Sequence, residues 1–196
     1  MILKRIFDIS FSFIGLLALI PVFIFISLWI KTGSRGGVFY LQTRVGKNNH
    51  DFKLFKFRTM FNDAEKRGLL TVGSRDPRIT KAGYYLRKYK LDELPQLINV
   101  FIGNMSFVGP RPEVRKYVDL YTPEQAAILK VKPGITDYAS IEYINENDIL
   151  AKSQNPEQDY INIIMPDKIR LNMKYISEIG FFTDIKIIFR TLVKII

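Results

Sequence analysis

The sequence predicts an α/β fold, mostly helical: one small mixed domain, led by a Pro-broken apolar helix that re-enters the membrane face it came from and closed by an interfacial amphipathic helix. Three observations predict this. Residues 9–30 carry no charge around a central Pro21. The chain after them alternates short β-patterned runs with helix-spaced ones. The stretch 181–196 spaces its apolar side chains at helical intervals. The expected division is 1–35 for the membrane segment, 36–180 for the main domain and 181–196 for the terminal helix.

At 196 residues and 47% hydrophobic, the chain has room for one compact domain and an apolar extra. It has no cysteine, which excludes disulfide scaffolds, thiolate nucleophiles and Cys-rich zinc sites. Chemistry must then come from carboxylates, hydroxyls, amines or the single histidine. The net charge of +10, from 29 Lys plus Arg against 19 Asp plus Glu, draws polyanions, anionic lipid heads or phosphorylated small molecules.

Residues 9–30 are long enough, at about 1.5 Å per residue, to cross the roughly 30 Å of bilayer hydrocarbon. Lys31 follows directly, with no small-residue cleavage site, so a removed leader is not expected. Pro21 lacks the backbone N–H that would continue the helix. Lys4 and Arg5 flank one end, Lys31 and Arg35 the other, so a single crossing would give the positive-inside rule contradictory instructions. A helix bent at Pro21 that returns to the same face satisfies both facts; a bitopic anchor with a tolerated proline is the alternative. In lipid the break needs partners for the freed carbonyl, and Ser12, Ser27 or the backbone are the means available.

Past the Gly-rich link 32–37, residues 38–41 are a short strand candidate, and a turn is expected from Arg44. The segment FKLFKFRTM at 52–60 reads as a second strand, with Phe52, Leu54, Lys56 and Arg58 on one side. Lys56 and Arg58 are therefore either charges flanking a solvent-edge strand or phosphate-binding cations. Thr80 is placed to cap a helix, and Leu94, Leu97, Ile98 and Phe101 mark another. Thr122-Pro123-Glu124-Gln125 and Asn155-Pro156-Glu157-Gln158 both carry a helix-start signature. Pro133-Gly134 is expected to open a loop through Ile135-Thr136-Asp137-Tyr138. In 181–196, Ile185, Ile188, Phe189, Leu192 and Ile196 share one face, with Lys186, Arg190 and Lys194 following at intervals of four. Such a helix either lies in a headgroup layer or covers the domain's own core. His50, in a Lys-Asn-Asn-His-Asp turn, is read as a surface residue.

The segment Lys90-Leu91-Asp92-Glu93-Leu94-Pro95 carries the chemistry. Pro95 belongs in a first helical turn, which predicts Asp92 near the N-cap and Glu93 just inside. Free backbone N–H groups there favour carboxylates and phosphates alike. Taken alone, the pair is equally a cap and a first-turn acid. Downstream, Pro110 and Pro112 stiffen the backbone around Arg111, so its guanidinium can meet phosphate oxygens at low entropic cost. Arg87 and Lys56 are further candidate cations. A carboxylate attacking a diphosphate needs such neutralisation, from cations or a metal.

FKLFKFRTM, then DPRITKAGYYLRKYKLDELPQLINVFIGNMSFVGPRP, then KPGIT at 132–136 resembles, in that order, the monotopic phosphoglycosyl transferases of bacterial glycan assembly, the bacterial sugar transferase family. The likeness covers most of residues 1–136 and makes 36–180 the catalytic domain. It implies transfer of a sugar 1-phosphate from a UDP-sugar to undecaprenyl phosphate with release of UMP, the first membrane step of surface glycan synthesis. It further implies Asp92 as the nucleophile that forms an aspartyl phosphosugar. Glu93 would assist through Mg2+ and acid–base work, Asp92 and Glu93 being the metal-holding acids. Lys56, Arg58, Arg87 and Arg111 would bind phosphate. The expected place is the cytoplasmic face of the bacterial inner membrane, in contact with its lipid. Other expected partners are the later glycosyltransferases of the pathway and a second copy of the chain; nucleic acid is not expected.

The chain departs from the family at Ile20, where many members carry serine before the proline, and after Thr136, where it reads Asp137-Tyr138-Ala139-Ser140. Nucleotide or sugar contacts beyond Thr136 are therefore not carried across. Two other classes remain open: a membrane-anchored phosphatase or nucleotidyl transferase using the same cradle, and a non-enzymatic scaffold for anionic lipid.

Overall fold

The computed structural model describes residues 2–62, 64 and 76–195. The element order is α1 (Ile2–Ala18), α2 (Ile20–Gly33), β1 (Phe39–Val45), β2 (Asp51–Phe57), α3 (Lys81–Lys88), α4 (Gln96–Ile102), β3 (Ser106–Val108), α5 (Arg115–Val118), β4 (Gly134–Thr136), α6 (Tyr138–Glu142), α7 (Glu146–Ala151), α8 (Pro156–Asp159), α9 (Met165–Ser177) and α10 (Phe181–Ile195). The described residues are thus mostly helical, with two small sheets.

Among the described residues no single helix is long and apolar enough to cross a membrane, but α1 and α2 together pass that test with a bend of 60° between them. The bend falls at Leu19 rather than at Pro21, which sits in the first turn of α2 where its missing N–H costs nothing. The backbone carries the break: Leu19 donates to the Gly15 carbonyl (3.0 Å), and Phe23 donates to that of Leu19 (2.8 Å). Neither serine serves it. Ser12 donates to the Asp8 carbonyl (2.5 Å), a turn and more before the bend, and Ser27 lines an open apolar groove on α2.

The two helices dock differently. On α1 the buried residues are Asp8 and Ser12; on α2 they are Ile26 and Ile30. Asp8 accepts from the Ser106 hydroxyl and the Phe107 N–H, both at 3.1 Å. Lys4 donates to the Val108 carbonyl (2.8 Å) and pairs with Asp184. Arg5 donates to the Val100 (2.7 Å) and Phe101 (2.9 Å) carbonyls, closing the end of α4. Ile26 and Ile30 instead join Phe57 and Leu86 in an apolar cluster, against which Leu91 and Leu94 pack. The remaining faces expose Phe11, Ile14, Leu17, Ile24, Phe25 and Leu28. That surface suits lipid, and its continuity matches either a dip or a broken span.

β1 and β2 form an antiparallel hairpin in register from Phe39↔Phe57 to Val45↔Asp51. β1 runs on through Arg44, where a turn was expected. The chain reverses instead at Asn48 and Asn49, whose positive φ values of 56° and 63° asparagine tolerates better than most side chains. His50 is exposed beside them, as expected.

The segment after Pro133 is not a loop. Gly134–Thr136 is a strand paired in parallel with Ser106–Val108. A side chain at Gly109 would meet the Lys132 carbonyl, and one at Gly134 would meet the backbone of Gly109, so the two backbones approach only because both residues lack Cβ.

Two of the three start signals form their capping bonds. The Thr80 hydroxyl accepts from Gly83 N–H (2.9 Å). The Thr122 hydroxyl accepts from Gln125 N–H and the Gln125 side-chain oxygen from Thr122 N–H, ahead of a 3-10 helix at Gln125–Lys130. Pro156 opens α8 as expected, but the Asn155 side chain caps nothing; α8 continues through a π-helical turn at Tyr160–Ile164 into α9. The largest core cluster joins Val114, Tyr117, Ile128, Leu150, Tyr160, Ile164, Met165 and Ile169.

The terminal helix divides the two readings between its faces. Asp184 and Ile187 are buried on the domain, while Phe182, Phe189, Leu192 and Val193 are exposed. The apolar face read from spacing points mostly outward; Ile196 lies outside the described residues.

Candidate active site

The acids do not begin a helix directly. Lys90 adopts the left-handed conformation (φ 56°), which turns the chain into a 3-10 turn, Leu91–Glu93, before Pro95 leads into α4. Asp92 is therefore not an N-cap, and its side chain caps no helix. The turn places Leu91 and Leu94 on the α2 cluster and directs Glu93 toward β2 and the Pro110–Pro112 segment.

Glu93 is gripped from two sides. Lys56 Nζ, on β2, lies 3.0 Å from Glu93 Oε1. Arg111 closes a fork on the same carboxylate, with Nη1 3.1 Å from Oε2 and Nη2 on Oε1. Burial alone would raise the Glu93 carboxyl, but the Arg111 and Lys56 charges outweigh it and hold it well below the usual carboxylate range. Burial lowers the Lys56 ammonium, with Glu93 opposing. Glu93 raises Arg111 further above its ordinary range.

Asp92 is the opposite case. It is 7% exposed, and among the described residues its carboxylate makes no hydrogen bond or ion pair. Burial, then the neighbouring Glu93 charge, raises it above the ordinary aspartate value, while Lys56, Arg87 and Lys90 pull the other way. One acid is fixed and ionised; the other is unpartnered in a positive field.

Arg87 contributes to that field and makes no ion pair among the described residues, so its guanidinium is open to an incoming anion. Arg58 is not brought to the acids. Its guanidinium donates to the Ser34 (3.0 Å) and Arg35 carbonyls and braces the link between α2 and β1. Of the four predicted phosphate cations, Lys56, Arg87 and Arg111 gather at the acids and Arg58 does structural work elsewhere.

Two supporting residues escaped the sequence reading. Asn99, fully buried on α4, accepts from Phe55 N–H (2.9 Å) and donates to the Lys53 carbonyl (2.7 Å), locking α4 to the strand that carries Lys56. Asp137, also fully buried, accepts from Arg111 N–H (3.0 Å) and Ser140 N–H (2.6 Å). An asparagine among apolar helix positions was the one available signal for the first.

Among the described residues no three or more His, Cys, Asp or Glu are grouped so that they could hold a metal ion. The adjacent acids still fit a magnesium ion, which takes one or two carboxylates and completes its shell with water and substrate phosphate. Asp92 is free, and Glu93 Oε2 takes a single hydrogen bond, which leaves it acceptor capacity.

The acid pair set among cations and the bent apolar helix pair are features of one class of transferase, and the chain belongs to the bacterial sugar transferase family, whose model matches residues 1–196. It is 38% identical over 197 residues to the UDP-glucose:undecaprenyl-phosphate glucose-1-phosphate transferase of Escherichia coli, covering 98% of this chain and 40% of that protein. It is 34% identical over 193 residues to the UDP-N-acetylgalactosamine-undecaprenyl-phosphate N-acetylgalactosaminephosphotransferase of Aeromonas hydrophila, with coverage of 97% and 43%. The uncharacterized sugar transferase EpsL of Bacillus subtilis is 36% identical over 196 residues, with coverage of 100% and 88%. The chain thus spans less than half the length of the two relatives whose names state a reaction.

Proposed function

We propose that the chain transfers a sugar 1-phosphate from a UDP-sugar to undecaprenyl phosphate through a covalent intermediate on Asp92, at the cytoplasmic face of the bacterial inner membrane. The observation that carries the reading is the contrast between neighbours: Glu93 is pinned by Arg111 and Lys56, whereas Asp92 has no partner. A carboxylate that no neighbour occupies, set among cations, is free to attack phosphorus in its ionised form.

In the first displacement an Asp92 oxygen bonds to the phosphorus bearing the sugar, and the phosphorus–oxygen bond to UMP breaks, UMP leaving with the electron pair. In the second, a phosphate oxygen of the lipid acceptor bonds to that phosphorus and the bond to Asp92 breaks, restoring the carboxylate. Arg87 and Arg111 would contact the diphosphate oxygens, and Lys56 would hold Glu93 in place. Magnesium held by Glu93 and Asp92 would supply charge neutralisation of the diphosphate. The apolar surface of α1 and α2 would keep the site where a lipid phosphate emerges from the bilayer.

The test omits the acceptor. Purified protein incubated with magnesium and a panel of UDP-sugars should gain the mass of one phosphosugar, mapped to Asp92. Full turnover with acceptor but no adduct without it would sink the two-step route, and inorganic phosphate as product would favour a phosphatase.

A further inference from the structure

Arg111 is the residue on which the cradle depends, and its backbone is held by a group outside the family-like motifs. The Asp137 carboxylate is fully buried and divides its oxygens between two tasks. Oδ1 accepts from Ser140 N–H (2.6 Å) and caps α6. Oδ2 accepts from Arg111 N–H (3.0 Å), across a sequence gap of 26 residues. A helix cap requires only the first of these.

The surroundings give the second bond its leverage. Gly109 N–H donates to the Thr136 carbonyl (3.0 Å), and Gly134 N–H donates to that of Pro110 (3.0 Å), so the chain is tied on the near side of Arg111 by the β3–β4 pairing. On the far side, Arg44 donates to the Pro112 carbonyl (3.0 Å). Arg111 stands between these ties, and the bond to Asp137 is the one that fixes its own peptide. Pro110 and Pro112, without N–H groups, offer no donor for such a bond.

We propose that Asp137 is a positioning residue: by holding the Arg111 backbone it aims the guanidinium fork at Glu93 and at the substrate phosphates. This rests on the transferase reading above for its chemical consequence, but not for its geometry.

Asp137→Ser tests it on the full chain in detergent. Serine retains a cap for α6, yet its hydroxyl, one bond shorter in reach and placed at Ser140 N–H, leaves the Arg111 N–H that met the other carboxylate oxygen without an acceptor. The Arg111 amide should exchange its hydrogen at least about tenfold faster, while the α6 amides keep their protection. UMP release should show kcat lowered about tenfold or more with donor KM within about twofold, the signature of a misaimed group rather than a lost binding surface. In an Arg111→Lys background the same change should cost little more, because the fork is already gone; a merely structural role would cost the same in both backgrounds. Unchanged Arg111 exchange, unchanged kcat in the folded variant, or additive losses would each overturn the proposal. If Asp137→Ser does not fold, Asp137→Asn, which keeps one acceptor oxygen, is read by the same measures. A wild-type chain that turns over no UDP-sugar would count against the transferase reading alone, and the exchange measurement would still decide whether Asp137 holds Arg111.

Discussion

Two half-buried glutamates in this protein are held by nearly the same means, and only one of them has an acid beside it that is unpartnered among the described residues. Glu93 is met by Arg111 and Lys56. Glu113 is met by Arg44 (3.4 Å), by Lys168 (3.5 Å) and by the Tyr160 hydroxyl, and Lys168 also pairs with Glu146 at 2.9 Å. In both, burial raises the carboxyl and the cations more than reverse it. In the second cluster every charge is met: the Tyr160 hydroxyl donates to Glu113, and Lys168 lies between Glu113 and Glu146. At the first, Asp92 and Arg87 are left without a hydrogen-bond or ion-pair partner among the described residues. A buried ion cluster is thus not in itself a site; the unfilled position next to it is.

The harshest way to break this comparison is Asp92→Asn. It should lower UMP release by about 10⁴-fold or more, the order lost when a nucleophile is removed, with a melting temperature no lower than that of the parent because no partner is stranded. Retained activity would erase the distinction between the two clusters. Next is Arg111→Met, which leaves Glu93 with Lys56 alone: a loss of about 10²–10³ in kcat is expected from steady-state rates. Glu113→Gln should behave in reverse. Lys168 is buried and would keep only one of its two carboxylates, so stability should fall by about 3 kcal/mol in denaturant unfolding, while kcat of the folded protein stays within about tenfold.

The smallest effect is in pH. Asp92 is raised above 3.8, so the reactive carboxylate is lost, as pH falls, before an ordinary aspartate would be. Glu93 and Glu113 are lowered below 4.5, so their stabilisation is present above that value and disappears only as pH falls through their depressed folded values. Descending pH should therefore silence kcat/KM first and lower the melting temperature later; coincident losses would contradict the assignment.

What was legible in the sequence was local. The Thr122–Gln125 box closes within three residues, and the Thr80 cap likewise, so their spacing contains their structure. Lys56 and Arg111 were legible because an alternating strand and a proline-flanked arginine each restrict where a cation can point. Arg58 was not. β2 ends at Phe57, and beyond it the side chain follows two carbonyls of the α2–β1 link that alternation cannot reveal. Asp92 was misplaced as a cap because a left-handed lysine at position 90 inserts a turn ahead of the helix. The link to β4 and the roles of Asn99 and Asp137 depend on partners tens of residues away, where no local pattern reaches.

The attachment of Arg5 to the last carbonyls of α4 has a mechanical meaning. Glu93 stands just ahead of one end of that helix, and the apolar pair grips the other. Seven residues of α-helix make a strut about 10 Å long, too short to bend appreciably. A tilt of α1 against the domain would therefore move the Arg5 end of α4 and, through so short a strut, the end that follows Glu93, with little slack chain between to absorb it.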